Sequence, residues 1–134
     1  MIDIYNQVFS RVTDTLLEVF PGIETGGDFM SAPSHLPFLS IIEMDNATYR
    51  RTQDLEAMEH HATIMHQVDA FSNLESGKKE QCREIMAVAD REYQLLGFTR
   101  IFMSPTPNLE APSIYRITAR YRAVVARDGT VYRQ

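Results

Sequence analysis

The chain has 134 residues, 44% of them hydrophobic and 23% charged, with a formal net charge of −5 at pH 7. This length and balance are typical of one globular domain, and the negative charge, without a block of Lys or Arg, argues against duplex nucleic acid as the main partner. No apolar run approaches the ~20 residues that cross a bilayer, and the N-terminus lacks the basic segment of a secretory signal. The single cysteine, Cys82, cannot form an internal disulfide, which fits a reducing cytoplasm or indifference to redox state.

The first predicted element is a helix. From about Ile2 to Phe20, apolar residues recur every three or four positions and give one apolar stripe, which ends at Pro21. A loop rich in Gly, Pro and Ser follows from Gly22 to Pro37, and it is long for a compact domain. Apolar residues in such a loop are typical of contact surfaces, so Phe29 and Met30 are candidate docking residues.

Two strands are predicted next. The short β-branched run from Phe38 to Met44 lies between a proline and Asp45-Asn46. Residues 60–72 alternate in polarity and predict a second strand. The polar segment between these strands, residues 46–60, gives no decisive pattern, so its secondary structure stays open.

A second helix is predicted from Ser76 or Gly77 to Leu96, with Gly97 as its C-terminal stop. The residues of its apolar stripe are Cys82, Met86, Ala89, Tyr93 and Leu96. The run from Phe98 to Ser104 predicts a third strand, and the two prolines that follow predict a loop.

The longest strand is predicted from Ser113 to Val125, where polarity alternates almost without error. One face has Tyr115, Ile117, Ala119, Tyr121, Ala123 and Val125, and the other has Arg116, Thr118, Arg120 and Arg122. Asp128-Gly129 predicts a hairpin turn into a short terminal strand.

The element order is therefore α-β-β-α-β-β with a short last strand. Short connections favour antiparallel pairing, and both helices need an apolar surface to cover. We expect residues 1–134 to form a single α+β domain, in which an antiparallel sheet of four to five strands has two helices packed on one face.

The candidates for chemistry are few. His60 and His66 point to one side of a strand and His61 to the other, so the three cannot share a metal ion. Cys82 lies on an apolar helical stripe without a histidine at helical spacing, which is typical of a buried structural thiol. No GxSxG spacing or phosphate-binding glycine fingerprint is present. We expect no catalytic residues, no metal and no cofactor.

The arginines of the last long strand can be interpreted in two ways. Arg116, Arg120 and Arg122 share one strand face, and the preceding strand is expected to add Arg100. Acids on neighbouring strands can balance such a face, at ~0.2–1 kcal/mol per cross-strand pair. Alternatively, arginine forks suit a subunit contact or a channel surface. Three acids, Asp54, Glu56 and Glu59, are the candidate counterpart across a subunit boundary.

The segment from Ser72 to Tyr132 resembles the C-terminal half of the tail terminators, the tail-completion proteins of long-tailed bacteriophages and prophages. The resemblance covers about 60 of 134 residues, and the N-terminal half is similar only in element order. It is found in Ser76-Gly77-Lys78-Lys79, Leu96-Gly97-Phe98-Thr99-Arg100, Pro107-Asn108, Ile114-Tyr115-Arg116 and Ala119-Arg120-Tyr121.

This resemblance implies an α+β subunit of a hexameric ring that caps the tail tube and offers the surface that joins it to the filled capsid. The implied partners are other copies of the chain, the tail tube protein and a head–tail connector protein, in a virion assembled in the host cytoplasm. The arginines would lie between subunits or line a channel that touches passing DNA. The family has no catalytic residues to carry over.

Three alternatives remain at this stage. Another ring protein of the neck or head–tail connector has a similar size and charge. A small metal-dependent enzyme would use the histidines and acids near residues 54–69. A nucleic-acid-binding module would act through Arg116, Arg120 and Arg122.

Overall fold

The computed structural model of the chain describes residues 1–30, 32–49 and 60–132. It confirms the predicted α+β fold class, with helices packed against a mostly antiparallel sheet. The elements in chain order are α1 (Tyr5–Val19), β1 (Glu24–Gly26), β2 (Phe38–Thr48), β3 (His61–Ser72), α2 (Lys78–Leu95), β4 (Thr99–Pro105), β5 (Tyr115–Ala126) and β6 (Val131–Tyr132).

The described strands form one sheet in the order β1-β2-β3-β5-β4, with β6 also paired to β5. β1 runs parallel to β2, and the other neighbouring pairs are antiparallel. β3 pairs with β5 over the full length of both strands. β4 and β6 share the other side of β5, so β4 forms one edge of the sheet.

Both helices cover the same face of the sheet, here called the helix face. The main hydrophobic cluster includes only even-numbered residues of β3 and only odd-numbered residues of β5, together with the apolar stripes of the two helices. Because side chains alternate along a strand, this parity identifies one face. The alternation from Tyr115 to Val125 therefore correctly predicted which side of β5 packs against the helices. The opposite side of the sheet is here called the far face.

Several boundaries differ from the predictions. β2 continues past Met44 to Thr48, because a bulge between Glu43 and Asp45 lets the polar half stay paired with β3. The cap of α2 is Gly77 with φ 93°, a left-handed conformation that favours glycine. β1 lies inside the predicted loop, and its three residues are too few to show alternation.

Candidate functional site: the far face and the β4 edge

The first arginine of the predicted cationic face is bound inside the subunit. Arg116 Nε donates to Asp69 Oδ1 at 2.9 Å, and the Thr118 hydroxyl donates to the same oxygen. Asp69 lies on β3 directly opposite Thr118, and only 1% of its surface is exposed. Arg116 is also buried. Its charge is therefore used within the fold rather than offered to a partner.

Further polar contacts extend from this ion pair along the far face. Gln67 Nε2 donates to Asp69 Oδ2 at 3.0 Å, and Arg120 Nε donates to Gln67 Oε1 at 3.1 Å. The rings of Phe29 and Phe71 each lie 5.5 Å from the Arg116 guanidinium carbon. This polar cluster joins β3, β5 and the loop that contains Phe29. Sequence reasoning missed Asp69 and Gln67, because the register of β3 against β5 could not be read from the chain.

The next two arginines of the far face differ in exposure. Arg120 is exposed, and its guanidinium carbon lies 5.9 Å from the centre of the Phe102 ring. Arg122 is half-buried, and its Nε has no hydrogen-bond partner among the residues that the structure describes. Among the predicted arginines of the far face, Arg120 and Arg122 are therefore the two that are not held by a buried carboxylate of the described part of the chain.

The expectation that Arg100 joins this set was wrong. Arg100 lies opposite Tyr121, whose side chain belongs to the helix face. Its guanidinium donates to Asp90 Oδ1 of α2 at 2.9 Å, and the Tyr121 hydroxyl donates to the same oxygen at 2.7 Å. A bulge at Ile101 shifts the register, so that Phe102 falls opposite Arg120 instead. The face of a strand that contains a bulge cannot be inferred from sequence parity alone.

The predicted acidic counterpart lies outside the described residues. Asp54, Glu56 and Glu59 belong to the segment 50–59, so their pairing with the arginines stays a prediction. The predicted docking residues Phe29 and Met30 are described, and they expose 67% and 37% of their surfaces. Their role in docking likewise stays a prediction.

The histidines do not gather at one place. His66 is fully buried on the helix face, where its Nδ1 lies 3.0 Å from the Tyr93 hydroxyl oxygen. Burial lowers the pKa of His66 to about 4. His61, five residues away, points to the far face and packs against the Tyr132 ring. In the described ranges 1–30, 32–49 and 60–132, no group of three or more His, Cys, Asp or Glu residues could hold a metal ion.

Cys82 is buried in the helix face. Its Sγ lies 3.6 Å from the Ala70 carbonyl oxygen and 3.5 Å from that of Tyr115. Burial raises the pKa of this thiol to about 12, so the neutral form dominates at neutral pH. This environment agrees with the predicted structural thiol.

The β4 edge exposes a run of apolar side chains. Ile101, Phe102 and Met103 expose 40%, 46% and 37% of their surfaces, and among the described residues β4 pairs with β5 alone. A groove of about 880 Å³ lies between β4 and α2. The residues that line it include Met86, Met103, Tyr115 and Ile117, three cations (Lys79, Arg83 and Arg100) and one acid, Asp90, which is paired with Arg100. This arrangement can accept an apolar group that is accompanied by negative charge.

No model of a known protein family matches this chain, and no curated protein matches it. Within the described residues, neither helix has the length and apolar character that crossing a membrane requires.

Proposed function

We propose that this chain is a structural protein of a long-tailed phage or prophage. Copies of it form a closed ring, expected to be hexameric, that caps the tail tube and provides the surface for joining the head. The observation that supports this most is the exposed apolar run Ile101–Met103 on an edge strand. An uncovered apolar edge strand promotes association with other chains, so its natural state is expected to be a covered one.

The shape of the subunit suits a ring. A ring closes when one surface of a subunit meets a different surface of its neighbour at the right rotation. The sheet has helices on one face and the polar cluster around Asp69 and Arg116 on the other, and its two edges differ in length and composition. Such unlike sides favour head-to-tail contacts over a symmetric dimer.

The far face contributes a modest cationic surface. Because Arg116 is bound to Asp69, Arg120 and Arg122 are the arginines left to meet a partner or a channel. Isolated arginines raise the local concentration of phosphate without making the protein a strong nucleic-acid binder. Transient contact with passing DNA is compatible with this surface.

Sizing of the purified chain tests the ring. Light scattering over a range of concentrations should show an oligomer of defined mass, and electron microscopy should show rings, both free and at the ends of added tail tubes. A strictly monomeric protein at high concentration, with no rings beside the tubes, would contradict the proposal.

A neck or connector ring is the second candidate, since the same exposed edge supports it. The two differ in the expected defect when the gene is lost. A terminator controls where the tube ends, so its loss should yield overlong tails. Loss of a connector ring should leave tails of normal length that are separate from the heads.

A further inference from the structure

We infer that neighbouring copies of this chain join edge to edge, with the β4 edge of one copy against the β2 edge of the next. The inference rests on the proposed ring and names the two surfaces that would build it. The β4 edge is defined by Ile101, Phe102 and Met103. The β2 edge is defined by Met44 with its neighbours Glu43 and Asp45.

The β4 edge combines apolar contact area with positive charge. Lys79, Arg83 and Arg100 line the groove on its helix-face side, and Arg120 lies over Phe102 on its far-face side. Arg100 is partly neutralised by Asp90, and the other three cations are exposed to solvent. A partner that fits this edge therefore presents an apolar group flanked by carboxylates.

The β2 edge has this complementary composition. Met44 exposes 47% of its surface at the β2 bulge, with an acid on either side of it in the sequence. Burial raises the pKa of the Glu43 carboxyl, a hydrogen bond with the Asn46 side chain opposes this shift, and the negative charges of Asp3 and Asp45 add to it. These acids therefore lie close enough to repel one another, and cations from a neighbouring subunit would relieve that repulsion.

Much of the outer edge of β2 is free of pairing with the described strands and can meet a neighbouring copy. β1 covers only Phe38–Ser40, so the part of β2 from Ile41 onward pairs with β3 alone among the described strands. The segment before α1 reaches this side, since Asn46 Nδ2 donates to the Ile2 carbonyl oxygen at 2.7 Å. We therefore expect the two edges to meet mainly through side chains rather than through a continuous strand ladder.

A second copy of the chain is the occupant that the charges favour. Two β4 edges facing each other would bring the same cations together, which disfavours a symmetric contact. A β4 edge against a β2 edge pairs opposite charges and leaves one edge of each kind free at the ends. Repetition of this contact continues until the ring closes.

Two blocked variants test the contact. Ile101→Lys/Met103→Lys removes the apolar surface of the β4 edge, and Met44→Lys/Asp45→Lys removes the apolar group and a carboxylate of the β2 edge. Each variant alone should fail to form the ring and remain monomeric. An equimolar mixture should form a dimer, because the β4-edge variant still has an intact β2 edge and the β2-edge variant still has an intact β4 edge. Assembly should stop at the dimer, because its two remaining edges are both blocked by lysines and repel each other.

Matched controls separate this contact from general surface effects. Leu74→Lys/Leu109→Lys replaces two exposed apolar residues that lie outside the strands and outside the residues that define either edge. Leu17→Lys/Asp14→Lys makes the same change in charge as the β2-edge variant and also replaces one exposed apolar side chain, but it does so on the exposed side of α1. Both controls should assemble as the unmodified chain does. Circular dichroism and urea unfolding should show that all four variants are folded.

The outcomes distinguish this inference from the proposed function. Rings formed by either blocked variant alone would overturn the edge contact while leaving the ring itself in place. An equimolar mixture of the two blocked variants that stays monomeric would also overturn it. Binding of a peptide from another protein at the β4 edge, without binding of a second copy of this chain, would do the same. An unmodified chain that never assembles would instead contradict the proposed function.

Discussion

Removing the carboxylate of Asp69 should destabilise the subunit strongly. This side chain is buried, and it accepts hydrogen bonds from Arg116, Thr118 and Gln67. In Asp69→Ala the guanidinium of Arg116 would remain in a buried site without its counter-charge. Removing one partner of a buried ion pair typically costs about 3–5 kcal/mol, and we expect a loss in that range.

The reverse change and the double change should separate burial cost from attraction. Arg116→Met leaves Asp69 buried without its cation, and we expect a loss of similar size. Asp69→Leu/Arg116→Met replaces both charges by apolar groups, and such replacements are often neutral or stabilising. The double variant should therefore regain much of the stability that either single variant loses.

Urea unfolding at one fixed protein concentration measures these differences, since assembly makes apparent stability depend on concentration. The control is Arg11→Met, which breaks the exposed pair with Glu92 and should cost about 0–1 kcal/mol. A decrease in the free energy of unfolding of less than about 1 kcal/mol for Asp69→Ala would refute the reasoning, because a buried guanidinium without a counter-charge should destabilise the fold by more than that.

Three further predictions concern single groups. Because the folded-state pKa of His66 is depressed to about 4 from 6.5, the unfolded chain binds the extra proton first. Its contribution to stability is thus complete above pH 6.5 and falls by about 1.4 kcal/mol per unit as the pH drops toward 4. Urea unfolding at pH 7 and at pH 5 gives the fall in the free energy of unfolding between these two pH values. This fall should be about 2 kcal/mol smaller in His66→Phe than in the unmodified chain, and equal falls would contradict the prediction. The Cys82 thiol, with its raised pKa, should resist a thiol reagent in the folded protein and react once the protein is unfolded in urea; rapid reaction of the folded protein would show that it is accessible. Gly97→Ala should cost more stability than Gly22→Ala, because Gly97 has φ 94° and an added Cβ would lie 3.1 Å from Val131 Cγ1, whereas Gly22 has open space; thermal unfolding compares the two, and equal midpoints would count against the strain.

Much of the fold could be predicted because the amphipathic patterns are strong. The alternation in β5 identified the side that packs against the helices, and the helical stripe with Gly97 located most of α2. These signals are local, since each depends only on side-chain period within one element. β1 was missed because a strand of three residues has no period to detect.

Two features could not be predicted from the sequence: the polar cluster around Asp69 and the face of the sheet on which Arg100 lies. Both depend on register between strands that are distant in sequence, and a shift of one residue moves a side chain to the other face. The bulge at Ile101 makes such a shift within β4. The contact of Arg116 with Asp69 joins residues 47 positions apart, so sequence spacing gave no sign of it.

Tail morphology in the absence of this gene tests the central claim most directly. Electron microscopy of the tail fraction from a lysate that lacks the gene should show overlong tails that are not joined to heads, and adding back the unmodified chain during assembly should restore normal length and joining. Virions of normal tail length and normal infectivity without the protein would contradict the account.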